Sequence, residues 1–374
     1  MSKYRYAIFG AGRQGTAAIH DLILNCEAES VLVVEPDAVR RRQAAARLRR
    51  LLGARARSIR MQASAARADL RGHHGALSCA PYSVNPQLTK LSISAGVPFT
   101  DLGGNPGVVR QQERLARRSS TAVVPECGVS PGLTNILAVH CARVHGCDSV
   151  EVRCGGLPLA RPDPALHPLQ YKLVFSARGL LSEYSGDVPV IREGKQTSVP
   201  ALGTIEEFDS EHESSPTSNN SPQVVEYLRE IGVRDYGYMT VRYKGHWGLV
   251  RGWKALGWLC GDAARDEQLA ALLESDVALK YEPERDRDKL ILRVRGSNSR
   301  TALQRGFEYA FTAVADRRTR FSAMELTTSW GITIVAHHIA SGRGAPEGFA
   351  TPERFMDTAW TIAELEKRLS AIRA

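Results

Sequence analysis

Tyr4-Arg5-Tyr6-Ala7-Ile8-Phe9 runs directly into Gly10-Ala11-Gly12-Arg13-Gln14-Gly15, an apolar run followed by a G-x-G-x-x-G spacing. The run predicts a first buried strand. Gly10 then makes the tight turn, Gly12 lets a pyrophosphate approach the backbone, and Gly15 lets the next helix pack close. Ala18, Ile19, Leu22 and Ile23 recur at helical spacing and supply that helix. Its unsatisfied N–H groups and positive dipole end form an anion site. Residues 30–34 read as a second buried strand ending in Glu35, and 35 − 15 sets this acid 20 residues beyond the third glycine. A carboxylate there can hold the adenine ribose hydroxyls. A bare glycine turn is the competing reading; the strand, glycines, helix, strand and acid standing in register argue for a dinucleotide site, with NAD the expected cofactor and NADP possible.

The alternation continues outward. Residues 76–80 read as a strand, 85–95 as a helix, 97–101 as a strand, 108–118 as a helix and 121–124 as a strand. Near-continuous apolar strands alternating with helices predict an α/β fold with a doubly wound parallel sheet, reaching to about residue 128. A cofactor lying along its carboxyl edge would pass Arg13, Gln14, Cys79, Ala80, Gly103 and Gly128. Ser130 and Pro131 supply an N-cap and a proline at the first position of the helix that follows. Beyond residue 150 the pattern changes. Residues 150–154, 171–175, 188–191, 236–243, 290–294 and 309–314 are strand-like with few helices between them, which predicts an α+β domain of mostly antiparallel sheet. Residues 210–222 read as a loop, 323–339 as a helix enclosing Gly331, and 361–373 as a short amphipathic helix.

Bulk properties bound the function. The 374 residues suffice for two domains with buried cores, and 43% hydrophobic with 24% charged residues is ordinary for a globular protein. No apolar run is long enough to span a bilayer and the glycine turn interrupts any secretory core, so the expected location is cytoplasmic, without a membrane partner. Seven cysteines with no C-x-x-C pair signal neither a disulfide framework nor a zinc site, and no metal is expected. The net charge is +9, yet only nine of 49 basic residues are lysine. Arg40 to Arg42, Arg47, Arg49, Arg50, Arg55 and Arg57 form the densest cluster, on the helix after Glu35. It reads as a solvated face, a clamp for an NADP 2′-phosphate, or a nucleic-acid surface; the lack of interleaved aromatics argues against the last, and no nucleic acid is expected.

Two carboxyl-edge segments could carry chemistry. Asp101-Leu102-Gly103-Gly104-Asn105 joins an acid able to pair with an amine to glycines permitting close approach, the competing reading being a helix cap. Pro125-Glu126-Cys127-Gly128-Val129-Ser130-Pro131-Gly132 suits a passing cofactor or substrate. Cys127 has no evident paired base and reads as a small apolar residue rather than a nucleophile.

These segments, with Cys154-Gly155-Gly156-Leu157-Pro158, Tyr171-Lys172, Phe175-Ser176, Gly179-Leu180-Leu181-Ser182-Glu183-Tyr184 and Val241-Arg242-Tyr243-Lys244-Gly245-His246, occur in an order that resembles the saccharopine dehydrogenase superfamily over nearly the whole chain, most of all its lysine 6-dehydrogenase branch. The resemblance implies an NAD(P)-dependent oxidoreductase acting on a carbon–nitrogen bond of a small amino-acid substrate. It implies a Rossmann domain (1–128 plus about 323–374), an inserted catalytic and dimerisation domain (129–322), and a homodimer. By position it places Asp101 near the nicotinamide holding the substrate amine, and Tyr171, Lys172, Thr217, Ser218, Arg242 and His246 around the substrate. Amine oxidation needs a base, since only a neutral amine has the lone pair that expels hydride. Asp101 and His246 are the candidates, histidine for its near-neutral titration, with Lys172 a third if burial lowers its pKa.

Two departures bear on the substrate. Arg178 stands where the lysine branch has an acid and makes a bidentate carboxylate contact possible, as in saccharopine reductases. Residues 214–222 replace a glycine-rich Thr-Ser segment. The leading expectation is oxidation of the terminal amine of lysine or a close relative to a semialdehyde or cyclic imine. The alternatives are reductive condensation of an amine with a keto or aldehyde acid, and a non-catalytic cofactor-binding or nucleic-acid-binding regulator.

Overall fold

A computed structural model describes residues 3–174, 176–219, 221–298 and 306–373, in two compact units: 1–136 with 325–374, and 137–324. In the first unit, β1 (Tyr4–Phe9), β2 (Ala28–Val34), β3 (Ile59–Gln62), β4 (Gly75–Ser78), β5 (Phe99–Asp101) and β6 (Val123–Val124) form one sheet in the order β3-β2-β1-β4-β5-β6. Every pairing is parallel. The helices between them are α1 (Arg13–Asn25), α2 (Ala38–Leu52), the single turn α3 (Arg67–Leu70), α4 (Asn85–Ala95) and α5 (Pro106–Ala116). Ala7, Ile8, Val31, Val33, Ala76 and Leu77 are fully buried, as the continuous apolar strands require of a sheet covered on both faces.

Helix α6 (Leu133–His145) leads out of this unit. It starts later than its sequence signal suggests: Ser130–Pro131 is a cis peptide and the helix begins at Leu133, so Pro131 is not the first helical residue. Similarly the cap of α5 is Asn105, whose side chain accepts from the N–H groups of Gly107 and Val108, and not Asp101.

The second unit holds one eight-stranded sheet built from β7 (Ser149–Pro158), β8 (Asp187–Arg192), β9 (Lys195–Pro200), β10 (Glu206–Glu207), β11 (His212–Pro216), β12 (Asp235–Tyr243), β13 (Asp288–Ser297) and β14 (Phe307–Val314). The main path is β10-β11-β12-β7-β13-β14, with β8 joining β12 to β9. All pairs are antiparallel except β12 with β7. Around it lie α7 (Ala177–Glu183), α8 (Pro222–Glu230), α9 (His246–Ala255) and α10 (Ala263–Ser275). Residues 210–222 are therefore no plain loop: they contain β11 and the Ser221 cap of α8, Asn220 lying outside the described residues. The strand expected over 171–175 is absent among the described residues; 171–174 is irregular, with one bridge from Leu173 to Lys280, and Phe175 lies outside them.

The chain returns to the first unit through α11 (Ala323–Ala340) and ends in α12 (Thr358–Arg373). A buried ion pair fastens both to α1. Arg368 donates to Asp21 at 3.0 Å with side chains 1% and 4% exposed, and Thr333 donates to the same carboxylate. Burial alone would raise the Asp21 pKa, but Arg368 and these donors hold it below its ordinary value. No described helix is long and apolar enough to cross a membrane.

Candidate active site

The glycine turn of the first unit is built as the spacing demands. Gly10 sits at φ +94°, a conformation that side chains resist, and a Cβ on Gly15 would lie 2.0 Å from the Gly10 carbonyl oxygen. Gly12 is the N-cap of α1 and offers no side-chain acceptor, so the first N–H groups of the helix keep their capacity for an anion. Glu35, 5% exposed, accepts the Ala11 N–H at 2.9 Å and the Asp37 N–H at 3.0 Å, which fixes its carboxylate at the end of β2. Arg40 stands 4.0 Å from it, whereas Arg41 donates to the Glu35 and Pro36 carbonyls. Arg13 pairs with Glu325 at 2.6 Å, and the Gln14 Oε1 is buried without a hydrogen-bond partner. Cys79 borders the turn, its carbonyl 2.8 Å from where a Gly10 Cβ would stand, and burial pushes its thiol up to about 12. Ala80 follows it, half-buried. A turn with no room for a Cβ at Gly10 or Gly15 and open space beside Gly12 fits a dinucleotide pyrophosphate.

Asp101 ends β5 but has no exposed surface. Its carboxylate accepts from Gln112 of α5 at 2.5 Å and from the Gly103 N–H at 2.7 Å. The carboxylate expected to hold the substrate amine thus anchors the turn between β5 and α5. Burial raises its pKa from 3.8 to about 6, against those hydrogen bonds. The ionised form is thus the costly one in the folded chain. Stability from this group is greatest below its ordinary pKa and falls as pH climbs through the folded value. Asp101→Asn should therefore stabilise the protein at about pH 8 by roughly 1 kcal/mol, less than the shift implies because Gln112 must re-pair. Thermal unfolding at pH 5 and pH 8 checks this; a variant less stable than wild type at both would sink it.

Beside it Glu126, 5% exposed, adopts φ +62°, strained for a residue with a side chain. Gly103, at φ +76°, packs against it, and Gly128 lies against Gly331 of α11. Cys127 is fully buried and donates to the Val124 carbonyl; burial raises its pKa well above normal, so it is no nucleophile.

In the second unit the structure gathers Tyr171, Arg242 and His246 with three residues that the sequence reading did not single out: Glu183, Tyr184 and Trp247. Arg242, 2% exposed, lies over the Tyr171 ring at 4.8 Å and the Trp247 ring at 5.7 Å. Its Nε donates to the Tyr184 hydroxyl at 3.4 Å and its Nη1 to the Val241 carbonyl at 2.9 Å. Tyr184 and His246 Nε2 are 3.0 Å apart, and His246 Nδ1 is 2.8 Å from the Leu169 carbonyl. A carbonyl only accepts, so Nδ1 carries the proton and Nε2 receives the Tyr184 hydroxyl. Burial, and then the Arg242 charge, lower the His246 pKa to about 3. The ring, expected to be a candidate base, is fully buried with both nitrogens hydrogen-bonded within the protein, and the neutral form is favoured.

Glu183 stands 3.8 Å from Arg242 Nη2. Burial raises its pKa to about 7, opposed by Arg242 and the Asn219 amide. Two buried polar atoms of this cluster lack hydrogen-bond partners, Tyr171 Oη and Glu183 Oε2. Local construction explains the placement. Glu213 on β11 accepts the N–H groups of Gly245 and Trp247, fixing the start of α9. Gln170, at φ +50°, accepts from Arg161 and donates to the Lys244 carbonyl, which sets the direction of Tyr171.

The other expected residues lie apart. Lys172 pairs with Asp286 at 2.9 Å. Arg178, expected to contact a substrate carboxylate, is 68% exposed and pairs with Glu267 on α10. Thr217 is buried and shares a 2.7 Å hydrogen bond with Thr240, and Ser218 donates to the Ser182 carbonyl. Among the described residues no group of His, Cys, Asp and Glu is arranged to hold a metal.

The model of the saccharopine dehydrogenase C-terminal domain family matches residues 128–370. The mitochondrial alpha-aminoadipic semialdehyde synthase of Bos taurus is 26% identical over 205 residues, 50% of this chain and 21% of that protein. The saccharopine dehydrogenase (NADP(+), L-glutamate-forming) of Saccharomyces cerevisiae is 27% identical over 128 residues, 33% of this chain and 28% of that one. The chain thus matches less than a third of the length of either relative. The solved saccharopine dehydrogenase (L-Glu forming) of Saccharomyces cerevisiae superposes with a TM-score of 0.75 over 98% of both chains at 18% identity, a shared fold.

Proposed function

Because the chain belongs to the saccharopine dehydrogenase C-terminal domain family, we propose that it is an NAD(P)-dependent oxidoreductase acting at a carbon–nitrogen bond of an amino acid. The first unit holds the cofactor through Gly10, Gly12, Gly15 and Glu35, and the second supplies the substrate residues. A bound nicotinamide dinucleotide supplies the hydride acceptor. The specific reading is oxidation of the terminal amine of L-lysine, or of a related basic amino acid, to a semialdehyde or cyclic imine. The observation that carries an amino-acid substrate is Arg242, a buried guanidinium that, among the described residues, hydrogen-bonds through Nε and Nη1 while its Nη2 stands 3.8 Å from the Glu183 carboxylate. The test is a panel of basic amino acids incubated with NAD or NADP while reduced nicotinamide is followed by absorbance. L-lysine or a near relative should exceed the blank; a silent panel overturns the reading.

A second reading, which the saccharopine dehydrogenase name of one relative suggests, is reaction at a secondary amine: reductive condensation of an amine with a keto or aldehyde acid, or its reverse. Formation of a secondary amine from lysine, an oxo acid and reduced cofactor, seen by product mass, would favour it over oxidation.

Glu35 decides the preferred cofactor. Its fixed carboxylate accepts ribose hydroxyls and repels a 2′-phosphate, and Arg41 is spent on backbone carbonyls. NAD should bind at least about 10-fold more tightly than NADP, with Glu35→Ser narrowing the gap. The opposite order in a titration would reject this and implicate Arg40. A homodimer belongs to the same proposal, and light scattering from the purified chain checks it.

A further inference from the structure

The cluster around Arg242 contains an unusual combination of unspent groups. Tyr171 Oη is a hydroxyl without a hydrogen-bond partner on a residue 1% exposed, and Glu183 Oε2, on a residue 9% exposed, has an ion-pair contact with Arg242 at 3.8 Å but no hydrogen-bond partner. Leaving such groups buried and unpaired is costly, so their presence together points to something that enters and satisfies them. Around them the demands are complementary. The Tyr171 hydroxyl can donate to an acceptor, and the Arg242 charge beside it favours an anion; Glu183 Oε2 seeks a donor, preferably a cation.

Distance narrows the ligand further. Glu183 Oε2 and Arg242 Nη2 form an ion pair at 3.8 Å, too long for a hydrogen bond and close enough for one small group to reach both. A carboxylate and an ammonium carried on the same carbon meet that requirement. A carboxylate alone would leave Glu183 unsatisfied and repelled, and an amine alone would meet the Arg242 charge.

We propose that Arg242, Tyr171 and Glu183 form the site for the zwitterionic head of a free α-amino acid, its carboxylate on Arg242 and the Tyr171 hydroxyl and its α-ammonium on Glu183. The assignment rests on the reading of the second unit as the substrate unit. It adds that the substrate is recognised by an unblocked α-amino group, and that Glu183 is a specificity-determining residue. It also separates the end of the substrate that is held from the terminal amine that reacts. Neutral His246 and Tyr184 serve Arg242 as positioning residues, because the hydrogen-bond chain from Arg242 through Tyr184 to His246 ends on the Leu169 carbonyl.

Calorimetric titration of the full chain with L-lysine, Nα-acetyl-L-lysine, L-lysine amide and cadaverine tests this, with turnover in the presence of NAD followed in parallel. L-lysine should bind at least about 10-fold more tightly than either singly blocked compound, and cadaverine weakest. Glu183→Gln should weaken L-lysine much more than Nα-acetyl-L-lysine, and Tyr171→Phe should weaken L-lysine more than cadaverine. Equal binding of L-lysine and its acetylated form by wild type overturns the proposal. So does equal weakening of both by Glu183→Gln, or failure of L-lysine to bind. Should Glu183→Gln fail to fold, Tyr171→Phe and the wild-type ligand series still decide. Selective binding without turnover upholds the head-group site and refutes the proposed reaction; turnover of cadaverine as readily as of L-lysine does the reverse.

Discussion

Arg242→Ala is expected to lower kcat/KM for L-lysine by on the order of 10³-fold, mostly through KM, because truncating one partner of a desolvated charge pair costs about 2–5 kcal/mol. The guanidinium is 2% exposed, held over two aromatic rings and tied by Nε to Tyr184 and by Nη1 to the Val241 carbonyl. Arg242→Lys keeps the charge but loses the planar stack and the forked donors, so it should recover only part of the loss. Steady-state kinetics on both variants, with circular dichroism to establish that each is folded, checks the expectation. A folded Arg242→Ala protein with KM within about 3-fold of wild type contradicts it.

The second large effect lies in the glycine turn. Gly15→Ala should weaken NAD binding by on the order of 10²-fold, since the new Cβ would stand 2.0 Å from the Gly10 carbonyl oxygen and backbone must move to admit it. Gly10 makes the turn at φ +94°, so any shift displaces the N–H groups meant for the pyrophosphate. Gly12→Ala is the informative control: its Cβ would meet nothing within 4 Å of the protein, so its cost should be felt by the cofactor alone and not by the unfolding temperature. Fluorescence titration with reduced NAD and a melting curve separate the two. Equal unfolding temperatures and equal affinities for Gly15→Ala and wild type would show that the turn is not the cradle described.

What could be read from sequence followed from how each element signals itself. The parallel sheet was legible because β1, β2 and β4 are buried on both faces and therefore uniformly apolar. Strand β3 was missed: Ile59–Gln62 lies at the sheet edge, only partly buried, with an exposed Arg60 breaking the apolar run. Strand β11 was hidden in a polar stretch. Ser214 and Ser215 are wholly buried yet satisfied, Ser214 by Arg153 and Ser215 by the Thr204 carbonyl. A hydroxyl bonded across a sheet leaves no apolar signature in the sequence.

The site was legible by residue type and not by role. Tyr171, Arg242 and His246 do come together, but whether His246 is a base depends on Leu169, 77 residues earlier, whose carbonyl fixes the ring tautomer. Asp101 likewise takes its role from Gln112, which draws the carboxylate inward. Arg178 looked available for a substrate because sequence does not reveal that Glu267 stands beside it. Glu183 was visible inside a quoted motif, but an unsatisfied oxygen can be recognised only once its surroundings are known.

The central claim is that hydride leaves a carbon bearing nitrogen in an amino acid. The most direct measurement incubates the protein with NAD and L-lysine deuterated at the carbon bearing the terminal amine, and weighs the reduced cofactor by mass spectrometry. The account predicts one deuterium in each reduced cofactor molecule, with a semialdehyde or cyclic imine as the partner product. Reduced cofactor that forms without label, or no reduction by any member of a basic amino-acid panel while NAD binds, would contradict it.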